Sequence, residues 1–285
     1  MILVTGATGN NGTELLRLLS ARGVPARAMV RSSDRTGAVA RLPGIEIVAG
    51  DFDDDASLER VLHGIERAFL LTNSTERAEA QQMRFVAAAK RGGVRHIVKL
   101  SQFAADEASP VRFLRYHAAV ERAIRETGVG YTFLRPNLYM QGLLGFARTI
   151  KTEGRFHAAV GDAKISTVDV RDNAAVAAAA LTGEGHEGRT YTLTGPEALS
   201  HSEMAGRMSD ALGHVITFVD VSPEEMREAL SHTPMPAWQA DGLIEDYAHY
   251  HRGEAAVVTS GVQDATGEVP RSFTAFARDF AAAFS

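Results

Sequence analysis

The chain has 285 residues, of which 45% are hydrophobic and 23% charged, a composition typical of a globular protein with a substantial core. Its formal net charge of -5 provides no basic surface for nucleic acid, and no run of about 18 consecutive apolar residues is present to span a membrane. The lack of cysteine excludes disulfide bonds, thiolate metal sites and cysteine nucleophiles. Because the first apolar run begins at Met1, we expect no signal peptide and a cytoplasmic protein.

Up to residue 135, short apolar runs alternate with longer segments of helical periodicity. The runs are predicted as strands at residues 2–4, 27–30, 45–48, 68–71, 96–100 and 131–134. The last intervening segment is predicted as a helix over residues 111–125. Strands and helices that alternate at this length predict a parallel sheet covered on both faces, with right-handed crossovers. The predicted fold is therefore α/β, a Rossmann-type doubly wound parallel sheet.

After residue 135 the pattern is less regular. Three further elements are predicted, namely an irregular helix with a loop, a strand and a helix, at residues 138–156, 165–168 and 171–181. We place a domain boundary after these elements, which gives a Rossmann-type sheet domain at 1–182 and a smaller, mainly helical cap at 183–285. Residues 138–160 are expected to contribute to the pocket between sheet and cap.

The segment between the first strand and the first helix is rich in glycine. It reads Gly6-Ala7-Thr8-Gly9-Asn10-Asn11-Gly12. Gly6 permits a tight turn, Gly9 lets the backbone approach a pyrophosphate, and Gly12 lets the helix pack closely on the strand. The start of the helix adds free amides and a partial positive charge. The segment therefore predicts a bound dinucleotide, since glycines that only made a turn would not need three fixed positions; the expected contacts are Gly6, Thr8, Gly9, Asn10, Asn11 and Gly12.

The type of dinucleotide is indicated at the ends of the second and third strands. Arg31 ends the second strand about twenty residues after the loop, and a guanidinium suits the 2'-phosphate of NADP(H). Asp34 weakens this preference, and a solvated strand-end charge is the alternative for Arg31, so NAD(H) stays open. Asp51 and Phe52 follow the third strand, where we expect them to meet the adenine. The alternative for the acidic residues here is a favourable interaction with a helix start.

Six motifs occur in one order across nearly the whole chain. They are Thr5-Gly6-Ala7-Thr8-Gly9-Asn10-Asn11-Gly12, Gly50-Asp51, Val120-Glu121, Tyr131-Thr132-Phe133-Leu134-Arg135-Pro136-Asn137, Asp169-Val170-Arg171-Asp172 and Tyr191-Thr192-Leu193-Thr194-Gly195-Pro196. With these motifs the chain resembles the NmrA-like group of atypical short-chain dehydrogenases/reductases, which includes quinone and triphenylmethane-dye reductases. The resemblance implies the Rossmann fold and a nicotinamide cofactor. It also implies that a homodimer can form through two crossover helices.

The catalytic motif of the superfamily is altered in this sequence. Active members carry Tyr-x-x-x-Lys ahead of the glutamate that matches Glu121, and the two positions hold Phe113 and His117 here. Phenylalanine cannot donate a proton, so the Tyr-Lys mechanism is not expected. The remaining catalytic candidates are His117, its neighbour Tyr116, and Ser101 at a strand end. The alternatives are a core histidine bonded to a backbone carbonyl and a strand-end polar group.

These residues lead to a functional hypothesis with two alternatives. We expect an NADPH-dependent reductase of a quinone or an extended conjugated aromatic, whose electrophilic carbon accepts hydride with little help beyond positioning. The alternatives are a non-catalytic NAD(P) redox sensor and a tailoring oxidoreductase of aromatic natural products. The nicotinamide is expected near Thr72, Asn73, Ser101, Pro136 and Asn137.

The later part of the chain supplies candidate pocket walls and no metal site. The candidate walls for a flat substrate are Phe103, Tyr139, Met140, Leu143, Phe146, Phe156 and Trp238. Asp246, His249 and His251 are interpreted as a polar helix face, because no matching pair of metal ligands lies elsewhere. A hydrolase is not expected, since the Gly-x-Ser-x-Gly motif is missing.

Overall fold

A parallel sheet organises the protein, which a computed structural model describes for residues 1–32 and 36–285. The strands of this part of the chain are β1 (Ile2–Val4), β2 (Ala26–Val30), β3 (Ile45–Ala49), β4 (Arg67–Leu70), β5 (His96–Leu100), β6 (Gly130–Pro136), β7 (Arg155–Ala158), β8 (Arg189–Leu193) and β9 (Thr217–Asp220). Seven of them form the main sheet in the order β3-β2-β1-β4-β5-β6-β8. The strand order reverses between β1 and β4, which confirms the predicted doubly wound Rossmann-type fold.

Helices cover both faces of this sheet and build most of the C-terminal region. In the described part of the chain they are α1 (Asn10–Ala21), α2 (Asp55–Leu62), α3 (Ala78–Arg91), α4 (Arg112–Thr127), α5 (Ala147–Glu153), α6 (Val170–Thr182), α7 (His201–Leu212), α8 (Pro223–Ser231), α9 (Ala237–His251), α10 (Gly261–Thr266), α11 (Phe273–Asp279) and α12 (Ala281–Phe284). Among the same residues, 3-10 helices span Gly37–Arg41 and Met140–Phe146. No helix among the described residues is long and apolar enough to cross a membrane.

Side chains on successive strand residues enter two separate cores. Ile2 and Val4 of β1 pack with α1 and α6 on one face, while Leu3 packs with α2 and α3 on the other. Because both faces are buried, the strand is apolar throughout instead of alternating with polar residues. Helix α4 places its apolar side chains toward the sheet. It ends at Gly128, whose backbone lies in the left-handed region.

The predicted strand at residues 165–168 is wrong. Ile165 forms a single bridge with Leu199, and Val168 forms one with Tyr139. The two residues between them bond elsewhere, as the Ser166 amide donates to the Ala255 carbonyl. Each residue thus meets a different segment of the chain, so no continuous ladder can form.

The C-terminal region is mainly helical, as predicted, and has its own core. A two-stranded parallel sheet of β7 and β9 packs with helices α5, α7, α11 and α12 around Phe156 and Phe276. Strand β8 falls inside the predicted cap range, yet it pairs with β6 at the edge of the main sheet. The division of the chain into 1–182 and 183–285 stays a prediction.

Candidate active site

The glycine segment lies after β1, at the carboxyl edge of the sheet where the strand order reverses. Gly6 has a φ of +60°, and a Cβ there would lie 2.9 Å from the Leu71 side chain. A Cβ on Gly12 would lie 2.2 Å from the Gly6 carbonyl oxygen, so α1 can pack here only with glycine. Both positions therefore need glycine for steric reasons.

Gly9 and the first turn of α1 form an open cradle. Gly9 is the N-cap of α1; no side chain caps this helix, and its first turn holds no acidic residue. A Cβ on Gly9 would meet nothing closer than the Gly6 oxygen at 3.4 Å, and Thr8 and Asn10 are exposed. Free amides and an uncompensated helix dipole suit a pyrophosphate. The residues present thus fit the predicted dinucleotide.

Tyr139 connects this cradle with a cavity. Burial raises the pKa of Tyr139, an effect that a hydrogen bond with the Asn11 side chain only partly offsets, so the side chain stays a neutral phenol. Asn173 Nδ2 also donates to Asn11 Oδ1 at 3.3 Å, which holds the asparagine toward α6. Because Tyr139 lines the cavity as well, the cradle and the cavity share a wall.

The cavity has a volume of about 890 Å³ and a mostly apolar lining. Five of the predicted walls line it, namely Tyr139, Met140, Leu143, Phe146 and Phe156. Phe103 and Trp238 do not, because Phe103 packs against the core around Val160 and Tyr250, and Trp238 packs on Phe113, with 5.5 Å between the ring centroids. This volume suits a flat ligand of drug-like size.

Helices α8 and α9 supply cavity residues that the sequence analysis missed. Met226 and Leu230 lie one helical turn apart on α8, while Leu243 and Tyr247 do so on α9. No residue of α8 is fully buried, so its apolar side chains face the cavity instead of a core. The sequence indicates an amphipathic helix in the cap, but it does not show whether the apolar side of this helix faces a core or a cavity.

Lys99 and His117 form a buried pair. Lys99 Nζ lies 2.6 Å from His117 Nδ1, and neither residue is more than 7% exposed. Burial lowers the pKa of Lys99 to about 7, while burial and the charges of Lys99 and Arg135 hold the pKa of His117 well below its usual value. His117 is therefore neutral, with Nδ1 as acceptor and the hydrogen on Nε2. Its partner is an amine, so the alternative of a backbone carbonyl partner is wrong.

Lys99 was not among the predicted site residues. The signal was present, because Lys99 is the one lysine in the otherwise apolar run Ile97-Val98-Lys99-Leu100 of a central strand. A lysine is almost never fully buried without a partner. In the structure, Lys99 Nζ on β5 lies beside His117 on α4, the residue that occupies the family's Lys position.

Glu121 is the centre of a buried ionic network beside this pair. Its carboxylate accepts from Arg135 at 2.6 Å, from Ser101 Oγ at 2.6 Å and from Arg125 at 3.2 Å. Burial raises the pKa of Glu121, but the bonds from Arg135 and Ser101 outweigh it, so the net shift is downward. Ser101 thus directs its hydroxyl hydrogen to Glu121, and its catalytic role stays a prediction that this bond disfavours.

Tyr116 lies between the pair and the C-terminal helices. Its ring centroid is 4.2 Å from that of His117, and its hydroxyl is 3.0 Å from Ser74 Oγ. Burial raises the pKa of Tyr116, and the bond with Ser74 lowers it only in part. The phenol therefore holds its proton at neutral pH, which makes Tyr116 a hydrogen-bond donor and a poor base.

Of the three residues interpreted as a polar face of α9, two do not face solvent. Asp246 and His249 are buried, and only His251 is exposed. The reason is that α9 packs on α4, where Arg112 binds the Glu245 carboxylate. Among residues 1–32 and 36–285, no three His, Asp or Glu side chains are grouped to hold a metal ion.

The predicted adenosine contacts lie at the same edge of the sheet. Arg31 is exposed directly after β2, whereas Asp34 lies outside the described residues. Asp51 is exposed after β3 and accepts from the Asp53 amide at 2.9 Å. Phe52 is half-buried, 5.8 Å from Phe85 between ring centroids.

The predicted nicotinamide contacts follow β4 and β6. Thr72 accepts from the buried Gln82 side chain at 2.8 Å, and Asn73 is exposed. Pro136 ends β6, and Asn137 Nδ2 donates to Ser166 Oγ and to the Ala255 carbonyl at 2.9 Å each. The amide of Asn137 is thus fully used within the protein, so this residue positions the strand end. Direct contacts with the nicotinamide stay predictions.

Known proteins match this arrangement over the full chain. The chain is 39% identical over 287 residues to (4-alkanoyl-5-oxo-2,5-dihydrofuran-3-yl)methyl phosphate reductase of Streptomyces griseus, covering 100% of this chain and 99% of the relative. It is 36% identical to the NAD(P)H azoreductase of Xenophilus azovorans, with 100% and 99% covered. The NADPH complex of an Escherichia coli NADPH-dependent quinone oxidoreductase superposes with a TM-score of 0.87 at 27% identity, covering 98% of this chain and 99% of that one.

These relatives decide the class of protein. Two relatives that cover the chain from end to end are reductases, and a quinone oxidoreductase shares its fold, which confirms the predicted oxidoreductase class. The pattern of the NmrA-like family matches residues 1–273, in line with the resemblance carried by the six motifs. The chain therefore belongs to the NmrA-like family.

Proposed function

We propose that this protein is an NADPH-dependent reductase of a quinone or an extended conjugated aromatic. One observation carries the proposal: the dinucleotide cradle and the apolar cavity share Tyr139, so a flat acceptor in the cavity would lie beside the nicotinamide. The azoreductase and quinone oxidoreductase relatives support the same chemistry. The relative from Streptomyces griseus adds conjugated furanones to the acceptors worth testing.

Each part of the site has a proposed task. The reduced nicotinamide would supply the hydride when bound. The amides at residues 10–12 would hold the pyrophosphate, Arg31 the 2'-phosphate, and Asp51 with Phe52 the adenine. His117 would present its Nε2 hydrogen to the acceptor oxygen, because Lys99 occupies Nδ1. Such positioning and polarisation are sufficient for an electrophilic acceptor.

The test is an acceptor panel followed at the absorbance band of the reduced cofactor. Purified protein is mixed with NADPH or NADH and with a naphthoquinone, a cationic triphenylmethane dye, an azo dye or a 4-alkanoyl dihydrofuranone. Cofactor consumption that needs both protein and a quinone or dye supports the proposal. Consumption with the furanone alone contradicts an aromatic or quinone acceptor. Tight NADPH binding without turnover on any acceptor contradicts a reductase and favours the sensor alternative.

Arg31→Ala is expected to lower kcat/KM roughly 10- to 100-fold with NADPH and to leave the value with NADH unchanged. A charge-assisted hydrogen bond is worth about 1.5 to 3 kcal/mol, and NADH lacks the phosphate that would receive it. Steady-state kinetics with both cofactors and one acceptor give the comparison. Arg22→Ala is the matched control, since Arg22 is exposed at the opposite end of α1. Equal losses with both cofactors would contradict the assigned contact.

A further inference from the structure

The reduction of a quinone needs a proton as well as a hydride. The family's Tyr position holds Phe113, which carries no proton to give. His117 is neutral, and its Nε2 hydrogen belongs to a weakly acidic imidazole. Ser101 already donates to Glu121. The residues at the positions of the family's catalytic motif, on α4 and β5, therefore do not identify the proton donor.

Helix α9 packs against the position where the family carries its tyrosine. Phe113 packs directly on Gly242, where a Cβ would lie only 2.4 Å from the phenyl ring. Trp238, one turn earlier on α9, packs on the same ring with the two ring planes tilted by 54°. One turn later, on the face of α9 that Gly242 shares, lies Asp246. The helix that closes over the altered motif thus brings a carboxyl group to it.

Asp246 is tied to the carboxyl edge of the sheet. Gln102 Nε2 donates to Asp246 Oδ2 at 2.7 Å, and Gln102 follows Ser101 just beyond the end of β5. Asp246 also lies within electrostatic reach of Tyr116 and Tyr250, and both of these interact with Tyr139, the wall shared by cradle and cavity. The carboxyl group is therefore held at the strand end that carries Ser101, on the helix whose next residue, Tyr247, lines the cavity.

The second oxygen of Asp246 is weakly satisfied. Asp246 is 5% exposed, and its buried Oδ1 makes no hydrogen bond of normal geometry among the described residues, although the Tyr250 side chain lies near enough to interact with the carboxyl group. Burial raises the pKa of Asp246 to about 7, although the bonds from Gln102 and Tyr250 lower it and Glu245 adds to the rise. Because Oδ2 accepts from Gln102, the proton of the acid form belongs on Oδ1. A weakly satisfied buried acid is unfavourable for folding, and such groups concentrate at functional sites.

We propose that Asp246 is the general acid of the reductase and that its Oδ1 gives a proton to the acceptor oxygen as hydride reaches the ring. This inference rests on the proposed function. The quinone gains a hydride from NADPH and a proton from Asp246 and becomes a hydroquinone, while Asp246 becomes a carboxylate and recovers its proton from solvent. A triphenylmethane cation differs, because it gains a hydride alone and becomes neutral without any proton.

This difference between acceptors gives the test. For Asp246→Asn we expect kcat with the quinone menadione to fall at least about 100-fold, the usual contribution of a general acid. With the cationic dye malachite green, kcat should stay within about twofold, which shows that folding and NADPH binding are intact. Asp241→Asn, on the same helix with a 45% exposed side chain, is the control and should change neither rate. Equal losses with both acceptors, or no loss with menadione, would overturn the assignment.

The dependence of kcat on pH distinguishes a general acid from a residue that only supports the fold. The wild-type kcat with menadione should fall as pH rises through about 7, because only the acid form donates, and malachite green reduction should lack this step. The groups that face Asp246 are the Gln102 amide, the Glu245 carboxylate and the phenols Tyr116, Tyr247 and Tyr250; burial raises the pKa of each phenol. None of these phenols titrates near neutral pH. The step should vanish in Asp246→Asn.

A measurement without cofactor separates the two proposals. The infrared spectrum of the free protein should contain a protonated-carboxyl band that disappears as pH rises through about 7 and is missing in Asp246→Asn. Absence of this band in the wild type would overturn the role of Asp246 whatever the activity. A wild-type protein that shows the band but reduces no acceptor would instead contradict the proposed function, and the acid role with it.

Discussion

Replacing Glu121 with alanine is expected to lower the free energy of unfolding by about 3 to 5 kcal/mol, the usual cost of removing one partner from a buried ion pair. Glu121 is fully buried and accepts from Arg135, Arg125 and Ser101. Without it, the guanidinium of Arg135 and the ammonium of Lys99 lie close together with no compensating carboxylate. Denaturant unfolding of the wild type and the variant measures the difference.

Two further variants make this result specific. Glu126→Ala removes an exposed carboxylate from the same helix, 3.6 Å from Arg122, and should change stability by no more than about 0.5 kcal/mol. Replacing Glu121 and Arg135 together with leucine and methionine should recover part of the loss, since the Arg135 guanidinium is then no longer left without its carboxylate. A loss below about 1 kcal/mol for Glu121→Ala would contradict the network.

The sign of the pH dependence follows from the same carboxylate. Folding lowers the pKa of Glu121 from 4.5, so the unfolded chain binds the proton more readily. Its contribution to stability is therefore complete above pH 4.5 and is lost as pH falls below this value. The difference between wild type and Glu121→Ala should shrink in acid.

Gly12→Ala is expected to weaken NADPH binding by at least about 100-fold, because the loop must deform before α1 can pack and a misplaced cradle loses several hydrogen bonds. The added Cβ would lie 2.2 Å from the Gly6 oxygen and 2.8 Å from the Ala7 Cα, and both are backbone atoms that cannot move independently. Titration calorimetry with NADPH measures the dissociation constant. The melting temperature without cofactor should also fall.

Two other glycines separate a folding defect from a binding defect. Gly206 is exposed on α7 with nothing within 4 Å of its Cβ position, so Gly206→Ala should bind NADPH normally and gain up to about 1 kcal/mol of stability. Gly9→Ala meets no protein atom closer than 3.4 Å, so it should fold normally and lose affinity because its methyl group occupies the cradle. Wild-type affinity in Gly12→Ala would contradict the assigned steric role.

Patterns within a few residues were sufficient to predict the sheet and the cradle. Strands appear as continuous apolar runs because both faces of a parallel sheet are buried, and β5 was predicted at its observed bounds, His96–Leu100. Gly6 and Gly12 were identified because their steric requirement comes from the loop itself and the strand next to it. The motifs around them also carried the resemblance to the NmrA-like family, which the comparisons confirm.

The chemistry around the cavity was decided by contacts between distant parts of the chain. Gln102 and Asp246 are 144 residues apart in sequence, and Lys99 meets His117 across a strand and a helix. The same aspartate would be an ordinary surface carboxylate on an unpacked α9. Sequence alone therefore determined the fold, the family and the glycine cradle, because their causes are local. Only the tertiary structure decided which side chains are buried together, and burial sets their protonation and hence their chemistry.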